Sequence, residues 1–126
     1  MRDIFVSGTK LTPEVSLRKG EISFSGRSVP SDPGKFYQPL FQWAEEYQEK
    51  GPDKIKIKLN FEYINTASTK WLYNILKILG SDINSKKKVE ISWYFEEGDE
   101  DMQELGSIFQ SLVPSKFEII KMLELK

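Results

Sequence analysis

A two-layer α/β sandwich, with a mixed β-sheet and helices packed mainly on one face, is the fold class this sequence predicts. Three observations predict it. Several short stretches alternate apolar and polar residues, most clearly Ile55, Ile57, Leu59, Phe61 and Tyr63 against Lys56, Lys58, Asn60 and Glu62. That period of two marks a strand with one buried face. Between such stretches the period becomes helical, as in Leu72, Ile75, Leu76, Leu79 and Ile83. The two patterns follow one another as ββαβαβαβ, and strand–helix–strand units favour right-handed crossovers with parallel pairing. Because the strands alternate rather than running continuously apolar, helices should cover one face of the sheet and leave the other open.

Each element has its own signal. Val15 and Leu17, a turn at Lys19-Gly20, then Ile22 and Phe24 read as a hairpin, with a possible extra strand at residues 3–6. Ser31-Asp32-Pro33 starts a helix, a cap residue ahead of proline at the first helical position. Its stripe is Phe36, Leu40, Ala44 and Tyr47, and Gly51-Pro52-Asp53 ends it. The strand from residue 54 and the helix with the Leu72 stripe follow. Ser85 and the lysines at 86–88 form a solvated connection, and Val89, Ile91, Trp93 and Phe95 alternate as the next strand. Acidic residues around Gly98 lead into a third helix with Met102, Leu105, Phe109 and Leu112 as its stripe. Pro114 closes it, and residues 117–123 make the last strand. Ile57, Leu59, Leu76, Ile91, Trp93 and Phe109 are the expected core.

Composition restricts the chemistry. At 126 residues the chain is read as one domain, residues 1–126, and 39% hydrophobic with 13% aromatic residues suits a folded globular protein. A net charge of −1 argues against a dedicated nucleic-acid binder, which needs a basic excess. No apolar run approaches the ~20 residues of a membrane span. The patch Ile4-Phe5-Val6 is too brief for a signal peptide, so a cytoplasmic setting is expected. There is no cysteine and no histidine, which removes the thiolate nucleophile, the commonest general base and the commonest zinc ligand. Neither GxxxxGK[ST] nor GxGxxG occurs. No cofactor, metal or catalytic residue is expected.

The most informative segment is Asn65-Thr66-Ala67-Ser68-Thr69, where the strand period gives way to the helix period with no glycine at the switch. The hydroxyls of Thr66, Ser68 and Thr69 have two readings: caps for free N–H groups, or a modification site at a helix end that favours a phosphate. Lys70, in the helix's first turn, opposes the macrodipole, and an anion nearby would offset it. Trp71 and Tyr73 flank the main stripe and are candidate partner contacts, as aromatics are at interface centres.

Two other clusters have blander readings. The acids from Glu96 to Asp101 are hard ligands for a divalent cation, but they lack the spacing of a calcium loop and suit the start of a helix. Lys54, Lys56 and Lys58 project from one strand face, either as an anion-binding stripe or towards water and cross-strand acids such as Glu90.

Several segments together carry a family resemblance. Thr12-Pro13-Glu14, Gly26-Arg27-Ser28-Val29-Pro30, Tyr63-Ile64-Asn65-Thr66-Ala67-Ser68, Trp93-Tyr94-Phe95, and Asp99-Glu100-Asp101-Met102 with Gly106 span nearly the whole chain in order. In these the sequence resembles the SiaC-type regulatory phosphoproteins, small bacterial proteins related in architecture to anti-sigma-factor antagonists of the STAS type. The resemblance implies partner switching. A protein kinase phosphorylates the threonine after the asparagine, here Thr66, a PP2C-like phosphatase reverses it, and the unmodified form engages an effector. In the best-known branch that effector is a diguanylate cyclase. One departure is Ala67, where the family often has the first of two serines.

The expectation is a non-enzymatic, phosphorylation-controlled binding module. Thr66 is the expected phosphorylation site, ahead of Ser68 and Thr69, and Asn65, Thr66, Ser68, Lys70, Trp71 and Tyr73 are the expected partner contacts. The rivals are a small carboxylate-dependent enzyme and a constitutive interaction domain in which Thr66 is only a cap.

Overall fold

A computed structural model describes residues 2–50, 54–80 and 88–123. The expected helix stop at residues 51–53, the stripe position Ile83 and the connection at 85–87 lie outside the described residues. The elements run β1 (Ile4–Val6), β2 (Glu14–Arg18), β3 (Glu21–Ser28), α1 (Pro33–Lys50), β4 (Lys54–Ile64), α2 (Thr66–Gly80), β5 (Lys88–Glu96), α3 (Glu100–Leu112) and β6 (Lys116–Met122). This is the expected order, with the extra strand present.

The described strands form one six-stranded sheet in sequential order. β1, β2 and β3 pair antiparallel, and β3 through β6 pair parallel, each parallel step crossing through one helix. The mixed sheet follows from connection length, since a tight turn can only reverse a strand whereas a helix carries the chain back to start in parallel. Gly20 makes the β2–β3 turn at a φ of 82°, a left-handed conformation that disfavours side chains.

One face of the sheet is buried and the other is not. Val15, Leu17, Ile22, Phe24, Ile57, Leu59, Ile91 and Trp93 meet Leu40, Ala44, Leu72, Leu76 and Phe109 of the helices. All of the expected core residues are buried. The open face carries Arg18, Glu21, Lys56, Glu90 and Lys116 as directly paired neighbours across five strands. Their signs alternate, so the observed register sets opposite charges side by side across these strands. The Arg18–Glu21 and Lys116–Glu90 contacts are 3.3 and 3.9 Å, and solvent leaves each worth little individually. Lys54, Lys56 and Lys58 are exposed, with Lys56 opposite Glu90 as expected.

Two stripe assignments need correction. In α1 the buried set is Tyr37, Leu40, Trp43, Ala44 and Tyr47, and Phe36 is only partly buried. Tyr37 continues the three- and four-residue spacing of that stripe, which leaves Phe36 on its flank. In α3, Leu112 is 56% exposed because the stripe's last turn runs past the buried Phe109, and Leu105, a turn earlier, is only partly buried where it lines the groove against α2. The packing of α3 on β5 is close. A Cβ on Gly106 would lie 2.6 Å from Trp93 Cδ1, and the Trp93 indole N–H donates to the Met102 carbonyl at 2.9 Å.

Candidate functional site

The switch from β4 to α2 is made by Asn65. Its side-chain Oδ1 accepts from the Ser68 N–H at 2.9 Å, the geometry of an N-cap bonded to the third helical residue. Its own N–H donates to the Ser28 carbonyl at 3.0 Å, and its carbonyl accepts from the Thr69 N–H at 2.9 Å. The cap is therefore an amide, not one of the hydroxyls.

The hydroxyls then separate by environment. Ser68 is fully buried, bonded to the Ser28 Oγ at 2.9 Å and the Ser28 carbonyl at 3.3 Å. Burial removes it from any partner or kinase, contrary to the expected surface role. Thr69 is half-buried, and its Oγ1 donates to the Asn65 carbonyl at 2.9 Å. Thr66, the first residue of α2, is exposed, and among the described residues its hydroxyl has no hydrogen-bond partner.

This helix end carries no compensating acid of its own. α2 has no acidic residue in its first turn, so the positive pole and its free N–H groups face solvent at Thr66. Lys70 is exposed but is the fifth residue of the helix, one position past the first turn, so it opposes the dipole only weakly.

Around Thr66 the surface is shaped by α2, α3 and the ring system beneath. Trp71 is half-buried, stacked on Tyr37 at 6.3 Å between ring centroids and met edge-on by Phe41 at 6.2 Å. Much of the indole is therefore committed to α1, and only its edge meets solvent beside Thr66, Ala67, Lys70 and Asn74. Tyr73 is half-buried and lines an apolar groove of about 290 Å³ between α2 and α3 with Thr69, Leu105, Ile108 and Leu112. Thr66 itself shares an adjoining depression with Ile64, Asp101, Glu104 and Ile108.

The α3 wall was not foreseen as part of the site. The available signal was Ile108, an apolar residue off the stripe, which is 49% exposed in the groove. Beneath the site, the Tyr37 hydroxyl lies 2.6 Å from the Ser28 Oγ, and burial pushes its phenol above the usual range despite the bonds to Ser28 and Ser68.

The acidic cluster serves a different helix. Asp99 is the N-cap of α3, its carboxylate accepting from the Met102 N–H at 3.1 Å, and Glu100 and Asp101 fill the first turn. Among the described residues no three carboxylates are grouped to hold a metal, and no helix is long and apolar enough to cross a membrane.

The fold has solved counterparts. The structure aligns with apo-SiaC from Pseudomonas aeruginosa at a TM-score of 0.85 and 24% identity, covering 95% of this chain and 99% of that one. It aligns equally well with a chain in the crystal structure of the diguanylate cyclase SiaD in complex with its activator SiaC, also from Pseudomonas aeruginosa. There the TM-score is 0.86 at 24% identity, covering 95% of this chain and 100% of the other. An uncharacterized protein of Pseudomonas aeruginosa (strain UCBPP-PA14) is 26% identical over 112 residues, 87% of this chain and 89% of that protein. The profile described as "SiaC family regulatory phosphoprotein" matches residues 6–122. With that match running from β1 to the end of β6, the chain belongs to the SiaC family of regulatory phosphoproteins.

Proposed function

We propose that this protein is a non-enzymatic partner-switching module whose unmodified form binds and regulates an effector, and whose binding is blocked by phosphorylation of Thr66. One observation carries the choice of site. Of the three hydroxyls at the start of α2, only Thr66 is exposed and free of a hydrogen bond among the described residues, while Ser68 is buried and Thr69 is bonded to Asn65. A kinase needs an accessible hydroxyl and a backbone that tolerates charge; the exposed Thr66 supplies the first, and the N-terminus of α2, with no acid of its own, supplies the second.

The contact surface is the exposed first turn of α2 with the apolar groove between α2 and α3. A partner packing there desolvates Tyr73, Leu105, Ile108 and Leu112 beside a neutral threonine. Phosphate adds about −1.5 to −2 charges at that point. Asp101 and Glu104 already line the same depression, so the modified site presents a concentrated negative charge that an apolar contact cannot accommodate. A coupling of about 3 kcal/mol changes affinity roughly a hundredfold.

A diguanylate cyclase is the favoured effector class, since one structural counterpart is an activator bound to such an enzyme. The switch also requires a protein kinase and a PP2C-like phosphatase. Carboxylate catalysis is the weaker reading, because Asp99 is engaged as the α3 cap.

The test is a binding titration of wild type, Thr66→Ala, Thr66→Asp and Thr66-phosphorylated protein against the host's diguanylate cyclase. Thr66→Ala should bind like wild type, Thr66→Asp more weakly, and the phosphorylated form roughly a hundredfold more weakly. Equal affinities in all four would refute the switch. Phosphate found only on Thr69 in protein from the native host would move the site.

A further inference from the structure

The hydrogen bonds beneath Thr66 have a direction. Ser68 Oγ donates to the Ser28 carbonyl, and Ser28 Oγ donates to Ser68 Oγ. With the Ser28 proton so placed, the 2.6 Å contact to Tyr37 requires the phenol to be the donor. The chain is thus Tyr37 O–H to Ser28 Oγ, Ser28 O–H to Ser68 Oγ, and Ser68 O–H to the Ser28 carbonyl. Every proton in it has one acceptor, and all three side chains are fully buried. The same Ser28 carbonyl also accepts the Asn65 N–H, so both ends of the cap turn, Asn65 and Ser68, are held on one residue of β3.

Thr66 sits between those two anchored residues. We propose that this hydroxyl chain fixes the presentation of Thr66, making Tyr37 and Ser28 positioning residues for its modification and linking α1 to the switch. This rests on Thr66 being the modified residue. Physically, a buried and fully paired network selects one geometry, because each alternative orientation leaves a polar group unsatisfied in a low-dielectric interior. Tyr37 also stacks on Trp71, so its one ring holds both the first turn of α2 and the aromatic edge beside Thr66. A change in how α1 packs is therefore felt at Thr66 without any contact to it.

Tyr47 provides a matched control. It is also a fully buried tyrosine of α1, and its hydroxyl accepts the Gly20 N–H at 2.9 Å. Gly20 lies beside the first residues of β4, whereas Thr66 follows the last. Tyr37→Phe, Ser28→Ala and Tyr47→Phe are compared with wild type in two measurements on the full chain. The first is amide hydrogen exchange at Ser68 and Thr69. The second is the initial rate of phosphate incorporation at Thr66, read by mass spectrometry after incubation with ATP and native-host extract.

Ser28→Ala and Tyr37→Phe should speed exchange at those amides by roughly tenfold or more, Ser28→Ala the more strongly. Both should slow phosphorylation several-fold, while Tyr47→Phe lowers thermal stability but leaves both readouts at wild-type values. Unchanged exchange in Tyr37→Phe and Ser28→Ala, or equal effects from Tyr47→Phe, would overturn the proposal. Faster exchange with an undiminished phosphorylation rate would overturn the positioning role. If wild type is not modified at Thr66 at all, the positioning role falls with the switch.

Discussion

The N-termini of α2 and α3 are two solutions to one problem, and their difference separates the proposed switch from the scaffold. Both helices are capped by a side chain bonded to the third residue's N–H, Asn65 in one case and Asp99 in the other. At α3 the cap is anionic, two further acids follow in the first turn, and Trp93 reaches the Met102 carbonyl behind them. That pole is neutralised and pinned to the sheet. At α2 the cap is a neutral amide, the first turn has no acid of its own, Asp101 and Glu104 approach only from α3, and the first residue offers an exposed hydroxyl with no hydrogen bond among the described residues. A helix end whose own first turn already carries anions gains little from another, whereas one with none of its own gains more.

The largest effect should come from disturbing the pinned end. Gly106→Ala places a methyl against the Trp93 ring, and overpacking of this kind should cost roughly 1–3 kcal/mol in urea unfolding. Thr66 phosphorylation per folded molecule should be unchanged, since α2 does not carry the clash.

Removing the caps should be next in size and should separate the two ends. Asp99→Ala and Asn65→Ala should each lose about 1 kcal/mol of stability, the former somewhat more because a charge goes with the bond. Only Asn65→Ala should alter the rate at which Thr66 is modified. If Asp99→Ala alters it equally, the division between the two ends is wrong.

A smaller change would make the α2 end resemble the α3 end. Asn65→Asp should keep the cap and stabilise the unmodified protein by about 0.3–1 kcal/mol at low ionic strength. The gain should shrink when Thr66 carries phosphate, because two anions then share one helix end. Thermal melts of both forms in low and high salt would measure this, and a gain independent of phosphate would count against a shared field.

The least effect belongs to pH. Burial raises the Tyr37 phenol above its ordinary 10.0, so the neutral form is favoured in the folded state. The associated stability is fully present below pH 10 and is lost as pH rises through the folded value. Tyr37→Phe should therefore flatten part of the alkaline decline in melting temperature, and Tyr47→Phe another part, since its phenol is also raised.

Legibility followed the physical range of each signal. The strand and helix periods placed most elements within a residue or two, because burial of one face imposes the period wherever the element packs, although β3 runs on to Ser28 past the alternation that marks it. Turns were legible where a residue had a local reason to be there, as with Gly20 and the Asp32-Pro33 helix start, whose Asp32 carboxylate accepts the Lys35 N–H at 3.1 Å. Flank positions were not, as Phe36 and Leu112 show, since a stripe's edges depend on where the neighbouring element ends.

By itself, then, the sequence determined the two-layer sandwich, its mixed sheet, the buried position of Trp93 and the segment proposed to carry the switch. Those rest on local periodicity, capping chemistry and the length of each crossover. Which hydroxyl of that segment is available was decided only by tertiary structure. Thr66, Ser68 and Thr69 are alike in sequence, and what sets Ser68 apart is Ser28 of β3 and Tyr37 of α1, residues 40 and 31 positions from Ser68 that the fold brings beneath the helix end. Long-range burial left Ser68 inside, a backbone carbonyl engaged Thr69, and Thr66 stayed at the surface because none of the described residues buries the first residue of α2.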